Sequence, residues 1–435
     1  MKIIRGLLIS LFFISFSFPL SLQLTIEDIP EGVAQYVIGS LIGLGPKFAG
    51  IRPSTTGIYV FENIPDGSIF MIKMLKAGCV DTYWGPYLIS SESADETGIV
   101  KESRAIFSHN VYNNLQESPA PKHQLGKATI VGSVKIKMDK EYKGVGGVVI
   151  NAKYLDNNES IPSSQIKYLN DNLNPGNYSS TQNNGFYCIY NVDPERPILL
   201  TGTKEGCIFT QVIQFGYPDI GYPHCVSVWE LEQVSNYISV SGVVKDLLNE
   251  KKLSQANVLI LGTNLSSQTN NNGEFNLNNV PPKSQGIFKV SKQDCKDLYI
   301  FKYLGMRNEK DIELFTISNA IYKQILPISH ISGKGDVWVN VGTSGVSVKL
   351  FEILGPLVDL SGKIYYMDEN GNFKQSSSTS SKGVFVILNL DPGIYFLRPV
   401  HENMDFPSTI LFVFSEGISY VKLKPQISQK TKSSQ

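Results

Sequence analysis

A short motif that joins a glycine, an alternating strand and an asparagine occurs four times along the chain. In each copy an aromatic residue follows the glycine by two positions and an asparagine follows it by six. In the third copy Phe275 and Leu277 alternate with polar residues, which is typical of a half-buried antiparallel strand. An aliphatic residue and a Pro/Asp pair then predict the end of the strand. The copies are Gly57, Tyr59 and Asn63; Gly185, Tyr187 and Asn191; Gly273, Phe275 and Asn279; and Gly383, Phe385 and Asn389.

The identical spacing of the four copies indicates an internal repeat. Glycine adopts a positive φ without steric cost, so each motif glycine is predicted to start its strand from a tight turn. Each copy would then belong to one small β-sandwich. The pattern therefore predicts an all-β chain of tandem sandwiches.

The four copies divide the chain into units in the order A-B-A-B, a two-unit module duplicated once. The A units are predicted to end in a short helix, within residues 103–115 and 312–322, and the B units carry an Asp/Asn-rich hairpin before the motif strand. We matched Ser103 of the first helix segment with Ser318 of the second. The predicted units are A1 (22–127), B1 (128–235), A2 (236–333) and B2 (334–427), followed by a polar tail (428–435) that we expect to be disordered.

Residues 1–21 are predicted to be a secretory signal peptide. Two basic residues precede an apolar run from Leu7 to Leu20, and small residues place the cleavage near Ser17 or Ser21. The run is shorter than the ~20 residues that a membrane span needs. We therefore expect an exported protein, in the periplasm, on the cell surface or outside the cell, with no transmembrane span after signal removal.

The charge of the chain is low and balanced, with 39 basic and 39 acidic residues. Without a basic field the chain is not expected to bind nucleic acid. The 42% hydrophobic content is typical of a packed globular protein. Other envelope proteins or glycans remain as the expected partners.

No catalytic constellation stands out in the sequence. A zinc site needs clustered ligands, but the histidines are isolated, and neither a nucleophile elbow nor a phosphate-binding loop occurs. No cofactor is therefore expected. The histidines are His109, His123, His224, His330 and His401.

Two Asp/Asn-rich segments, residues 171–174 and 368–372, offer the hard oxygen ligands that calcium prefers. Both lack the downstream glutamate of an EF-hand, and Asx turns explain them equally well. We favour the turns and leave calcium as the alternative.

Five cysteines in an exported chain raise the question of disulfides. Cys79, Cys207 and Cys295 occupy one repeat position in different units, so we expect them to be far apart. Cys207 and Cys225 lie within one unit and are the candidate pair. Buried reduced thiols are the alternative, which we favour slightly.

Exposed aromatic residues could stack on sugar rings, although tyrosine and tryptophan are also routine core residues. A row of them across one sheet would favour carbohydrate binding. The candidates are Tyr83, Trp84, Tyr217, Tyr222, Trp229 and Trp338.

Unit A2 resembles a carboxypeptidase regulatory-like domain, a transthyretin-like (prealbumin-like) β-sandwich. The resemblance lies in residues 240–246 (Val-Ser-Gly-Val-Val-Lys-Asp), 256–260 (Ala-Asn-Val-Leu-Ile) and 269–282, and it extends more weakly to the other units through the motif strand. It implies seven-strand Greek-key sandwiches that serve as non-catalytic accessory, binding or structural modules of exported bacterial proteins.

These expectations combine into a non-enzymatic envelope scaffold that presents its surfaces along a rigid rod. The alternative is a carbohydrate-binding surface protein that uses exposed aromatic residues.

Overall fold

Strands make up most of the protein. The computed structural model describes residues 19–29, 32–33, 36–51, 57–139, 141–220, 224–353 and 356–427. It is 51% strand and 6% helical, with several separate sheets and two α-helices. The predicted all-β class of tandem sandwiches with two short helices is therefore confirmed. In the part of the chain that the structure describes, no helix has the length and apolar character needed to cross a membrane.

Residues 1–18 of the predicted signal peptide lie outside the described residues. Its last residues are described, and the first strand already begins at Leu20. The predicted polar tail, residues 428–435, also lies outside them.

Unit A1 packs two sheets against each other. Its strands are β1 (Leu20–Ile29), β2 (Gly32–Val33), β3 (Ile38–Ile42), β4 (Ile58–Ile64), β5 (Ile69–Leu75), β6 (Asp81–Leu88) and β7 (Ile99–Phe107), and its helix is α1 (His109–Leu115). One sheet places β1 between β4 and β7, with β2 added to β1, and the other has the order β3-β5-β6. The alternating burial of β4 shows why it pairs here, since its apolar face closes over the core.

Unit B1 follows helix α1 in the chain. Its strands are β8 (Ala128–Met138), β9 (Glu141–Gly144), β10 (Val149–Tyr154), β11 (Ile166–Leu169), β12 (Pro175–Gly176), β13 (Phe186–Val192), β14 (Ile198–Thr203), β15 (Ile208–Phe209), β16 (Val212–Gln214) and β17 (Cys225–Val234). One sheet has the order β12-β11-β13-β8-β17, and the other is β10-β14-β16.

Units A2 and B2 repeat this arrangement. A2 contains β18 (Ile238–Asp246), β19 (Asn257–Ile260), β20 (Ser266–Gln268), β21 (Glu274–Val280), β22 (Gln285–Ser291), β23 (Leu298–Tyr303), β24 (Glu309–Thr316) and α2 (Asn319–Ile325). B2 contains β25 (Gly335–Asn340), β26 (Ser347–Glu352), β27 (Ile364–Met367), β28 (Phe373–Lys374), β29 (Val384–Leu390), β30 (Gly393–Val400), β31 (Met404–Asp405), β32 (Thr409–Val413), β33 (Ile418–Lys422) and β34 (Gln426–Ile427).

All four units share one strand arrangement. In each, the first strand lies between the motif strand, which is antiparallel to it, and the last strand, which is parallel to it. These triplets are β4-β1-β7, β13-β8-β17, β21-β18-β24 and β29-β25-β33.

The helices are shorter than predicted. Residues 103–107 and 312–316 belong to strands β7 and β24, because they pair in parallel with the first strand of their unit. The helices begin only after Ser108 and Ser318, whose side chains accept hydrogen bonds from the main-chain N–H groups three residues later. Ser108, and not Ser103, is thus the equivalent of Ser318.

The A and B units of each half share a continuous sheet. Strand β17 pairs in parallel with β6 over four residues, from Cys225 opposite Asp81 to Val228 opposite Trp84. Strand β33 pairs with β23 in the same way, over two residues. The joined sheets have ten and nine strands. We call A1 with B1 the first pair and A2 with B2 the second pair.

The expectation of an extended rod was wrong, because one apolar cluster joins all four units. Strands β14 and β30 are apolar on both faces, so the face turned away from their own core also requires burial. The two pairs bury these faces against each other. The cluster contains Ile69, Met71, Tyr83, Leu155, Leu199, Ile213, Phe215, Tyr217, Cys225, Ile287, Ile353, Ile394, Phe396, Ile410, Phe412 and Phe414.

Candidate functional site

The motif residues occupy equivalent backbone positions in the four units. The glycines have φ of 71°, 75°, 73° and 63°, and the asparagines have φ of 59°, 54°, 59° and 59°. The four aromatic residues are between 0% and 3% exposed. The motif therefore combines two left-handed positions with one buried ring, which is a structural role. It has no catalytic geometry.

The motif asparagine has an additional role in the B units. Asn191 accepts from Gln124 N at 2.9 Å and donates to Lys122 O at 3.0 Å. Asn389 accepts from Ile331 N at 2.7 Å and donates to Ser329 O at 3.2 Å. Both asparagines thereby hold the linker that enters their unit.

The first pair buries a carboxylate beside the linker between units A1 and B1. The Asp219 side chain is 0% exposed, and it accepts a hydrogen bond from the Tyr112 hydroxyl at 2.7 Å. His224 Nδ1 lies 3.1 Å from the same oxygen, and its ring stacks on that of Tyr112. His123 Nε2 lies 3.5 Å from the same oxygen, without hydrogen-bond geometry. Burial and this carboxylate raise the pKa of Tyr112, which keeps the phenol a donor.

The second pair builds the same cluster from different positions. The Tyr322 hydroxyl donates to Asp336 Oδ2 at 2.9 Å, and His330 Nδ1 lies 3.0 Å from that oxygen. His330 Nε2 lies 3.1 Å from Glu416 Oε2. The His330 ring therefore lies between the two carboxyl groups. Hydrogen bonds from Gly333 N and the Ser332 hydroxyl, together with His330, hold the pKa of Glu416 below its usual range.

These clusters contain residues that sequence reasoning treated as isolated. His123 and His330 each lie three residues before a Gly-Lys pair, and that repeated His-x-x-Gly-Lys pattern is the signal that could have identified them. Their partners come from distant segments and follow no local pattern. Among the described residues, no group of histidine, cysteine, aspartate and glutamate has the arrangement of a metal site.

All five cysteines are free in the structure. Cys225 is buried in the central cluster, with its Sγ 3.4 Å from Tyr217 O, whereas Cys207 packs against the core of unit B1. The candidate Cys207–Cys225 bridge is therefore not formed. Burial raises the pKa of both Cys188 and Cys225 to about 12, which makes these thiols poor nucleophiles.

The aromatic residues proposed for sugar stacking do not form an exposed row. Tyr83, Trp84, Tyr217 and Trp338 are between 2% and 7% exposed, and Trp229 is only partly exposed. Tyr222 lies outside the described residues. The described candidates serve as core residues instead, because their rings pack between sheets.

The Asp/Asn-rich segments form hydrogen-bonded turns. Asp368 Oδ1 accepts from the main-chain N–H groups of Asn370 and Asn372 at 2.9 and 3.0 Å. Asp171 Oδ1 accepts from the Asn184 side chain at 2.9 Å. Their carboxylates thus serve the turns themselves.

A cleft of about 450 Å³ opens between units A2 and B2. Strands β23 and β33 pair only at Leu298–Ile418 and Tyr299–Ser419, and then separate. Strands β24 and β32 form the other walls, and each pairs on one side only. Four uninterrupted runs line the cleft: 299–302, 309–313, 409–412 and 419–423.

Lys302 lies in this cleft without an ion-pair partner among the described residues. Burial lowers the pKa of its ammonium group, with Glu309 and Glu313 acting in the opposite direction. Glu313 is already bound by Lys245 and by Lys422. Glu309 accepts a hydrogen bond from Gly305 N at 2.6 Å. Lys302 therefore has no carboxylate within ion-pair distance among the described residues, and Glu309 and Glu313 act on it only from farther away.

Comparisons with known proteins return distant structures only. No family model matches the chain, and no curated protein matches it. Among solved structures, the chain is similar to the Bacillus anthracis TIE protein (9% identity over 95% of this chain and 69% of that chain, TM-score 0.18). It is also similar to GBS52, the minor pilin of Streptococcus agalactiae (11% identity, 44% and 96%, TM-score 0.18), and to BcpA, the major pilin subunit of Bacillus cereus (9%, 69% and 99%, TM-score 0.16). TM-scores this low carry no argument about function.

Proposed function

We propose that the protein is a non-enzymatic scaffold of the cell envelope, built from carboxypeptidase regulatory-like sandwiches and exported by its N-terminal signal. The central apolar cluster, to which all four units contribute, is the observation that carries this proposal. Together with the two shared sheets it fixes the units relative to one another. A body held in this way presents surfaces in constant positions, which is what a scaffold requires.

The arrangement of polar groups supports the same function. The buried aspartates and their tyrosine and histidine partners lie at the linkers between units, where they hold the units together. The tyrosine hydroxyls and the aspartate oxygens hydrogen-bond to each other within the fold, as expected of structural networks. Other envelope proteins are the partners that this proposal implies.

Export and rigidity are tested on the full chain, expressed in a bacterial host with a C-terminal tag. We expect the tagged protein outside the cytoplasm. Its mature N terminus should lie no later than Leu20, because Leu20 of β1 pairs with Ile64 of β4. Cross-linking should then return the inter-unit distances of the structure. An uncleaved cytoplasmic product, or links that fit only separated units, would contradict the proposal.

A further inference from the structure

We propose that the cleft between units A2 and B2 binds an extended peptide as an added β-strand, with an acidic side chain of that peptide paired to Lys302. The inference deepens the scaffold function and rests on it, because it names the class of partner and the place where it binds. Four observations carry it.

First, the cleft is lined along strand edges. Successive side chains of a strand point to opposite faces, so a cavity that touches every residue of a run must follow the edge of that strand. This holds for all four walls, 299–302, 309–313, 409–412 and 419–423. An unpaired edge presents main-chain N–H and C=O groups, which bind an incoming strand.

Second, two of the edges form a fork. Beyond Tyr299 and Ser419, strands β23 and β33 have no strand partner among the described residues on the side that faces the cleft, although each pairs with its other neighbour. The fork therefore continues the nine-stranded sheet on both sides of a gap. A short strand placed in the gap would extend the ladders on either side.

Third, the equivalent edge of the first pair is closed by side chains. The Trp84 indole donates to Ala105 O at 2.8 Å, and the Arg104 guanidinium donates to Ser103 O at 2.7 Å. Both carbonyls lie on the β7 edge that faces away from β1.

At the equivalent positions the described residues of the second pair provide no such cover, although the Ser419 hydroxyl donates to Phe412 O on β32 at 2.6 Å. Ile300 is the equivalent of Trp84, because each lies five residues after the cysteine of its unit, Cys295 or Cys79. Leu314 is the equivalent of Arg104, because each lies four residues before the serine that precedes the helix. Neither replacement carries a donor. Among the described residues, no side chain donates to the main-chain carbonyls of Glu313 or Phe315, which are the equivalent acceptors.

Fourth, charge and size specify the occupant. Lys302 is partly buried and has no ion-pair partner among the described residues, so a carboxylate of the peptide is the group that would pair with it directly. The volume of about 450 Å³ lies within the range of ligand pockets. Phe301, Phe315 and Phe412 supply an apolar wall for the neighbouring side chains of the same peptide.

The test uses the full-length protein and a capped hexapeptide of alternating valine and threonine with one central glutamate. Main-chain bonds supply most of the affinity in strand addition and tolerate sequence variation, so this simple probe is sufficient. We expect saturable binding by calorimetry. Hydrogen exchange should slow in residues 299–302 and 419–423. A peptide with lysine in place of glutamate, and one with alternate N-methylated amides, are the matched probes, and each should bind at least tenfold more weakly.

Two variants localise the binding. Lys302→Gln should weaken binding of the glutamate peptide about tenfold and should not weaken binding of the lysine peptide, which no longer faces a like charge. Ile300→Trp copies the cover of the first pair and should abolish binding. Lys374→Gln, at a surface lysine of β28, is the charge control and should bind normally. Unchanged melting temperatures would show that the variants still fold.

Other outcomes overturn the inference. Absence of binding at about 1 mM peptide, which corresponds to roughly −4 kcal/mol, would do so. So would binding that neither variant changes, or protection of the cleft by self-association of the protein without peptide. None of these results touches the scaffold function, because export and the inter-unit distances are measured in the separate experiment described above.

Discussion

The first pair and the second pair share the arrangement of their main strands, but they finish the same strand edge differently. In the first pair Trp84 and Arg104 hydrogen-bond to the edge carbonyls of β7. In the second pair Ile300 and Leu314 occupy those positions, and a cleft remains. A duplicated module can therefore keep its core while one copy acquires an open edge.

The linker clusters show the opposite behaviour, since their composition differs while their geometry is retained. The central aspartate comes from the loop before β17 in the first pair and from β25 in the second. Val226 in β17 and Ile418 in β33 occupy equivalent positions. Two residues before them the first pair has His224, whereas the second pair has Glu416. Each pair nevertheless places a tyrosine, an aspartate and a histidine in contact, so the arrangement matters more than the identity of each position.

The largest expected effect is the loss of a buried aspartate. Asp336→Ala or Asp219→Ala removes the acceptor of a buried tyrosine hydroxyl and of its other donors, which should lower the free energy of unfolding by about 2 to 5 kcal/mol. Guanidinium denaturation measures this loss, and hydrogen exchange in the linker shows where it acts. Glu402→Ala, at an exposed residue, is the control. Equal effects of all three substitutions would show that the clusters do not hold the units.

Replacing the motif asparagine should cost more stability in a B unit than in an A unit, and both costs should be smaller than that of losing a buried aspartate. Asn389→Ala removes two hydrogen bonds and strains a left-handed position, which should cost about 2 to 4 kcal/mol. Asn279→Ala should cost only about 1 to 2 kcal/mol, because that side chain is exposed. Thermal unfolding of both variants measures the difference. Asn389→Gly relieves the backbone strain alone, so full recovery by glycine would contradict a linker role.

Acid should weaken the second pair through Glu416. Its folded pKa is lowered, so its contribution to stability is complete above the unfolded value near 4.5 and is lost as the pH falls through the folded value. Melting temperatures measured from pH 3 to 7 should therefore fall less steeply for Glu416→Gln than for the native protein. Parallel curves would exclude this contribution.

The smallest expected effect is a difference in the rate at which the cysteine thiols react with a reagent. At pH 8 a pKa of about 12 leaves Cys188 and Cys225 almost entirely protonated, so they should react with a chromogenic disulfide only after unfolding. Cys207 and Cys295 are partly exposed and should react in the folded protein. Failure to label Cys207 before reduction would instead support the Cys207–Cys225 bridge.

The strands and turns were accessible to sequence reasoning because their signals are local. The motif glycines and the alternation around Phe275 describe a turn and a half-buried strand within ten residues. The helices were placed too early because residues 103–107 contain no turn residue, and their pairing with β1 depends on a strand about eighty positions away.

The junctions were not accessible in this way. Strand β17 joins β6 across more than 140 residues, and nothing near Cys225 indicates that partner. The apolar runs at 198–200 and 394–397 did signal burial on both faces, which argues against a rod with separate cores. The cleft lies where the second pair has Ile300 and Leu314 instead of donors such as Trp84 and Arg104. Only the structure aligns these positions.

The parallel first and last strands also have a mechanical consequence. Because they are parallel and adjacent, the chain enters each unit at one end of the ladder and leaves it at the other. Tension between the termini therefore loads the hydrogen bonds between these two strands in shear, so that many must break together. Each of the four units carries such a clamp, and the rate of forced unfolding would depend on that concerted step.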